Sequence, residues 1–347
     1  MKMSRKKIGI IGVAGEGERF ATGQAVKCRT LRAWFENRYG ADQVLFANID
    51  SAKKHPLRVL NNMLRALRQC ENIIFMPGQN IEVFAPVLRI LNLPYKRRVQ
   101  YIVTGGDLAE VLKRRPRLLG SIAGFDGTHV QAVELMNELR EMGVPRAQYL
   151  PNCRDYVPAV PRDAWKEEPL RVCTYSRVTK DKGILDAIEI CKKTNALLGR
   201  QVFTLDVYGK MYADFEAEFQ RALESNQGLV TYQGVRDSTE TVDVLRKCFA
   251  LLFPTYFPCE CFAGTALDAF SARIPIIAND WLYNSEAIRD GVDGFIYPFR
   301  DNDAAAAVLA RLYEDRALYA TIQQGCEESM RRFSTDHVMG EFAKCLI

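Results

Sequence analysis

Short apolar runs rich in β-branched residues alternate with longer stretches of helical periodicity along the whole chain. In the first half the runs predict strands at 7–12, 43–47, 72–76, 99–103, 121–125 and 147–150, with helices at 24–38, 53–69, 82–91 and 130–142 between them. After a proline-punctuated polar stretch (Pro151, Pro158, Pro161, Pro169) the alternation restarts. Strands are predicted at 170–175, 203–208, 229–232, 250–253, 274–278 and 294–297, with helices at 184–193, 212–223 and 304–313 among them. Nearly continuous apolar strands separated by helices indicate parallel sheets covered on both faces. Neither a 20–50-residue repeat nor a low-complexity tract interrupts the pattern.

The chain has 347 residues, which predicts two domains. The reading is an N-terminal domain over 1–165, a C-terminal domain over 166–330, and a helix over 331–347 that packs back on the first domain. Two doubly wound domains in tandem imply a cleft, with ligands beyond the carboxyl ends of the strands. The basic, then apolar N-terminus is too short for a signal sequence and breaks at Gly15-Glu16-Gly17, so it reads as a first strand. Ten cysteines with no CxxC pair read as reduced cytosolic thiols, and no apolar stretch is long enough to span a membrane.

Charge changes the picture. Residues 1–166 carry a net +12 and residues 167–347 a net −7. The first half is therefore expected to meet something anionic. Its clusters Lys96-Arg97-Arg98 and Lys113-Arg114-Arg115-Pro116-Arg117, the second beside Leu118-Leu119, suit an anionic membrane surface, the alternative being solvated helix ends. No aromatics interleave with these clusters and no nucleic-acid motif occurs, so nucleic acid is not an expected partner.

Three segments could carry chemistry. Gly12-Val-Ala-Gly15-Glu-Gly17, with Gly23-Gln24 beyond it, lies between the first strand and helix. Phe20 breaks the dinucleotide fingerprint and the loop is too long for it, so a backbone approaching a ligand, or a plain glycine-rich turn, fits better than NAD. Ser176-Arg177-Val-Thr-Lys180-Asp181-Lys182-Gly183 opens a helix. Two cations against a helix dipole make sense around a phosphate; otherwise they face solvent or pair with Asp181. The third segment runs from Phe253 to Trp281. Glu260 sits in a loop, Phe262-Ala263-Gly264-Thr265 leads into a helix, and Asp268 falls on its first turn. Backbone N–H groups there suit a pyrophosphate and the two carboxylates suit sugar hydroxyls. Thr265-x-x-Asp268 could equally be a capping box. Asp301-Asn302-Asp303 reads as a helix cap rather than a metal motif, and His55, His129 and His337 have no ligand spacing. Neither metal nor cofactor is expected.

Taken together these motifs resemble the family 4 retaining glycosyltransferases of the GT-B fold, an α/β class with two Rossmann-like doubly wound domains facing across a cleft. Arg177 and Lys182-Gly183 match the pair that holds the donor diphosphate, Glu260 the first acid of the family's Glu-x7-Glu motif, and Asp268 its second acid position. The segments 274–278, Trp281, Tyr283-Asn284-x-Glu286 and Asp290-Gly-x-x-Gly294 are similar to the capsule and exopolysaccharide branch, as are Gly23-Gln24-x-x-Lys27, Gly105-Gly106-Asp107-Leu108 and Leu150-Pro151-Asn152. The resemblance implies a metal-independent retaining transfer of a sugar from a nucleotide-diphospho-sugar, UDP-linked, to a saccharide or lipid-linked saccharide in bacterial surface polysaccharide assembly. It implies catalytic Arg177, Lys182 and Glu260, donor contacts at Gly23, Phe262, Ala263, Gly264, Thr265 and Asp268, and acceptor-side Gln24 and Asp107. A cytoplasmic protein, peripheral on the inner membrane face, is expected. The alternative is a catalytically weak scaffold of a polysaccharide assembly complex. Four departures stand out: Asp for Glu at 268, Cys261 and Arg273 where glycine is usual, and Ala263 where proline is common. Gly105-Gly106-Asp107 occupies the region where many members carry a histidine.

Overall fold

The computed structural model describes residues 5–13, 15, 23–158, 163–165 and 168–346. Residues 14 and 16–22 of the glycine-rich loop, including Gly17 and Phe20, lie outside the described residues. The chain divides into two compact units, residues 1–153 with 335–347, and residues 154–334.

The first unit runs β1 (Lys6–Gly12), α1 (Gly23–Tyr39), β2 (Val44–Asn48), α2 (Pro56–Gln69), β3 (Cys70–Met76), α3 (Ile81–Asn92), β4 (Arg98–Ile102), α4 (Leu108–Arg114), α5 (Leu119–Ala123), β5 (Gly127–Val130), α6 (Val133–Glu141) and β6 (Ala147–Tyr149). Its sheet is parallel, in the order β2-β1-β3-β4-β5-β6. The second runs β7 (Leu170–Tyr175), α7 (Ile184–Leu197), β8 (Phe203–Tyr208), α8 (Ala213–Ser225), β9 (Val230–Gly234), α9 (Thr241–Leu245), β10 (Ala250–Phe253), α10 (Gly264–Ala272), β11 (Ile276–Asn279), α11 (Asn284–Ala287), β12 (Gly294–Tyr297), α12 (Asn302–Glu314) and α13 (Arg316–Arg332). The last helix, α14 (Thr335–Ala343), belongs to the first unit. There Phe342 meets Phe35 of α1 edge-on and Asp336 accepts a hydrogen bond from Trp34.

The second sheet is also parallel, in the order β12-β11-β10-β7-β8-β9. Strand order reverses between β7 and β10, and a sheet of this kind leaves a crevice at the carboxyl ends of such a pair. β10 is apolar and buried along its whole length and β7 is buried at four of its six positions, as central strands covered on both faces are.

One predicted strand is wrong. Residues 121–125 are not extended: α5 covers Leu119–Ala123, and the strand lies just beyond, at Gly127–Val130. Leu118, Ile122 and Phe125 are buried at helical spacing, so their apolar character belongs to one helix face. The true strand hides its signal by burying polar residues, Thr128 and His129. His129 is satisfied laterally, its Nε2 donating to Gln100 Oε1 on β4 at 2.7 Å.

Candidate functional site

The two loops that follow β7 and β10 meet at the reversal point of the second sheet. After β7 the chain passes Arg177, makes a tight turn at Lys180–Lys182, and enters α7 through Gly183. Gly183 has φ +69°, and a Cβ there would stand 2.0 Å from the carbonyl oxygen of Pro254. Glycine therefore lets the β7 and β10 loops touch backbone to backbone. Tyr256 N–H donates to Asp181 O at 2.8 Å and closes the contact.

This packing gathers the predicted cations around one ring. The Arg177 guanidinium carbon and Lys182 Nζ each lie 4.5 Å from the centre of Phe257. Lys182 Nζ donates to Glu260 Oε2, which also accepts from Thr255 Oγ1 at 2.9 Å. Both charged side chains are only 9% exposed, so this is a buried ion pair. Asp181 takes no part in it; its carboxylate accepts from Thr179 Oγ1 instead. Trp281 Nε1 donates to Phe257 O at 3.0 Å and fixes the loop from the far side.

Helix α10 begins at Gly264, with Ala263 as its N-cap residue and no side chain capping it. The capping-box reading fails, because Thr265 is already inside the helix and its Oγ1 donates to Tyr175 O at the end of β7, 3.0 Å away. Asp268 lies on the second turn, not the first. Its Oδ1 accepts from Arg154 Nε at 3.0 Å. Burial raises the Asp268 carboxyl above its ordinary range, and Arg154 opposes that rise. The guanidinium of Arg154 also fills the space a Cβ at Gly264 would need, 2.1 Å from Nη2. Phe262 turns its ring into the core against Phe333, leaving only its backbone toward the loop.

Arg177, Lys182, Glu260, Phe262, Ala263, Gly264, Thr265 and Asp268 thus all come from the two loops and the helix start at one sheet edge. Gly23, Gln24 and Asp107 belong to the first unit. There Gly23 opens α1, Gln24 Nε2 donates to Met76 O at the end of β3 (3.3 Å), and Asp107 precedes α4. Sequence reasoning missed Thr255, Phe257 and Arg154. The first two stand in the quoted segment, yet nothing in it says that a ring and a hydroxyl orient the charges; Arg154 lies 114 residues from its carboxylate partner.

Elsewhere, Asp301 caps α12, accepting from Ala304 N–H at 2.9 Å, while Asp303 pairs with Lys193. Among the described residues no three His, Cys, Asp or Glu side chains cluster as a metal site requires. Arg273 explains why glycine is usual at its position: it ends α10 in the left-handed region, φ +55°, and here an ion pair with Glu327 holds it.

The buried cation–carboxylate cluster and the uncapped helix start thus lie together at the reversal point of the second sheet. Residues 160–328 match the family described as Glycosyl transferases group 1. That match falls within the second unit, and the two Rossmann-like units give the chain the GT-B class of fold. The amylovoran biosynthesis glycosyltransferase AmsK of Erwinia amylovora is 27% identical over 162 residues, covering 45% of this chain and 39% of that protein. Anabaena Alr3699/HepE, solved in complex with UDP-glucose, has a TM-score of 0.76 at 15% identity over 98% of this chain and 99% of its own. Sucrose-phosphate synthase from Thermosynechococcus elongatus gives a TM-score of 0.76 at 15% identity, covering 99% of both chains. At such identities the likeness to the solved structures lies in the fold.

Proposed function

We propose that this protein is a retaining glycosyltransferase that moves a sugar from a nucleotide-diphospho-sugar, UDP-linked, to a saccharide acceptor in surface polysaccharide assembly. The observation that carries the reading is the convergence of Arg177, Lys182 and Glu260 on Phe257 at the β7/β10 reversal point, inside the family-matched segment. On this reading Arg177, Lys182 and the start of α10 stabilise the charge that builds on the leaving diphosphate. Glu260 holds sugar hydroxyls and Asp268, kept in place by Arg154, takes the ribose. The sugar leaves through an oxocarbenium-like state. Front-face attack steered by the diphosphate oxygen retains its configuration without a covalent enzyme intermediate. The side-chain cations do the work of a divalent ion, so transfer proceeds in excess EDTA. The acceptor, lipid-linked, is assigned to the first unit, on the side of Gln24 and Asp107.

The test is calorimetric binding of UDP and UDP-sugars to the whole chain. Arg177→Ala and Lys182→Ala are each expected to weaken UDP by about 1.5–3 kcal/mol, the worth of a hydrogen bond to a charged group. Unchanged affinity in both variants refutes the site. Tight UDP binding with no transfer to any saccharide acceptor would favour the scaffold reading instead.

A further inference from the structure

Helix α3 is apolar on two opposite faces. Ile81, Phe84, Ala85 and Leu88 are buried on one. On the other, Val83 is 63% exposed and Ile90 66%, with Pro86 and Val87 half-buried between them and Leu93, just past the end, 67% exposed. Positions 83, 87 and 90 fall on one helical stripe, roughly 15 Å long when carried to Leu93 at 1.5 Å per residue. A surface helix ordinarily turns polar residues outward, and a continuous exposed stripe of this kind marks an interaction site.

Helix α2 packs beside α3 and supplies the charge. Between Asp50 and Glu71 the chain carries Lys53, Lys54, Arg58, Arg65 and Arg68 and no acid. Lys54, Arg58, Arg65 and Arg68 are exposed. Arg68 Nε donates to Tyr95 OH at 3.0 Å and Arg97 Nε to Leu67 O at 2.8 Å, so the basic end of α2 is tied to the segment leaving α3. Lys96 and Arg98 extend the rim. The acid on the flank of α3, Glu82, is matched by Arg115 at 3.2 Å. By contrast the 113–117 cluster is partly spent: Lys113 pairs with Glu110 at 2.7 Å and Glu138 at 2.8 Å.

We infer that the α2–α3 face docks on an anionic lipid surface, the Val83–Leu93 stripe entering the headgroup boundary and the α2 arginines meeting lipid phosphates. This deepens, and rests on, the reading that the acceptor is lipid-linked. Lipid is the partner the chemistry fits. The stripe is aliphatic with no aromatic anchor, and its rim is long lysines and arginines, whereas protein interface cores favour aromatics and exclude lysine.

Co-sedimentation of the whole chain is measured with vesicles of phosphatidylcholine alone and of two parts phosphatidylcholine to one part phosphatidylglycerol. Binding is expected only to the anionic vesicles and falls as salt rises. Val83→Ser with Ile90→Ser and Leu93→Ser lowers the partition about tenfold or more, by removing buried apolar area. Lys54→Gln with Arg58→Gln and Arg65→Gln lowers it about fivefold per charge and keeps the test alive if the serine variant folds poorly. Neutralising Lys113, Arg114 and Arg117, while keeping Arg115 against Glu82, changes it little. Serine and glutamine variants that bind like the parent overturn the inference. So does a parent that ignores anionic vesicles; if its self-association is then abolished by the serine changes, the stripe joins copies of this chain. UDP binding, measured on the same samples, separates the two failures: lost vesicle binding with intact UDP affinity removes the docking face and leaves the transferase reading standing.

Discussion

Removing the positive charge of Lys182 while keeping its length, as Lys182→Met, tests whether the site is built around a buried ion pair. Glu260 Oε2 accepts from Lys182 Nζ and from Thr255 Oγ1, and both charged side chains are 9% exposed. The variant leaves a buried carboxylate with Thr255 alone. Breaking a buried pair from one side destabilises by about 3–5 kcal/mol. For a unit of this size each kcal/mol lowers Tm by roughly 2–4 °C, so a fall of about 6–20 °C is expected. Glu260→Gln should cost less, because the Lys182 ammonium keeps the face of Phe257 at 4.5 Å. The double variant carries no buried charge and should recover most of the loss, with a coupling of about 2 kcal/mol or more. A two-domain chain need not melt as one transition, so the readout must belong to the second unit. A Trp34→Phe background provides it, since Trp165 and Trp281 are then the remaining tryptophans and both lie in residues 154–334. UDP affinity, measured on the same proteins, should fall with Lys182→Met and stay low in the double variant. If the single losses simply add, with coupling below about 0.5 kcal/mol, Lys182 and Glu260 are not partners and the reasoning fails.

Two more perturbations probe the frame around the site. Gly183→Ala places a Cβ 2.0 Å from Pro254 O at φ +69°, so urea denaturation should show a loss of at least about 2 kcal/mol and UDP binding should weaken as Lys182 shifts; a silent substitution would mean the two loops do not touch. Burial, helped by Lys27, pushes the His129 imidazole from 6.5 down to about 4. The folded pKa lies below the unfolded one, so stability is full above about 6.5 and falls as pH drops toward 4, by about 3 kcal/mol in all. His129→Gln should flatten that dependence, followed through Trp34 fluorescence of the first unit; equal slopes in parent and variant would refute a buried neutral histidine.

Four strands of the second unit were legible at their exact bounds, 170–175, 203–208, 250–253 and 294–297 coinciding with β7, β8, β10 and β12. The last two are uninterrupted apolar runs, and the first two keep apolar or aromatic residues around single polar positions such as Arg171 and Asp206. The same rule misled at 121–125, where burial of Leu118, Ile122 and Phe125 comes from helical spacing and the real strand is polar at Thr128 and His129. The charged residues of the site were legible for a different reason. A cation placed against a helix dipole, or a carboxylate in a loop after a buried strand, conflicts with local preference, and such conflicts point to ligands. The groups that orient those charges carry no such conflict. Phe257 and Thr255 look like ordinary loop residues, and Arg154 looks like one more surface arginine until the fold closes over it.

That difference bears on the change at position 268. Shortening the acid by one methylene would leave a carboxylate short of its ligand if the backbone alone positioned it. Here Arg154 reaches over Gly264, bonds Asp268 at 3.0 Å, and counters the rise that burial imposes on its pKa. Arg154 is held in turn at its own backbone, where its N–H donates to Phe333 O at 3.2 Å. The carboxylate is thus fixed from the segment that enters the second unit and the segment that leaves it, and not by α10 alone. On the proposed donor-binding role, aspartate serves at this position because Arg154 as well as α10 sets where the charge stands.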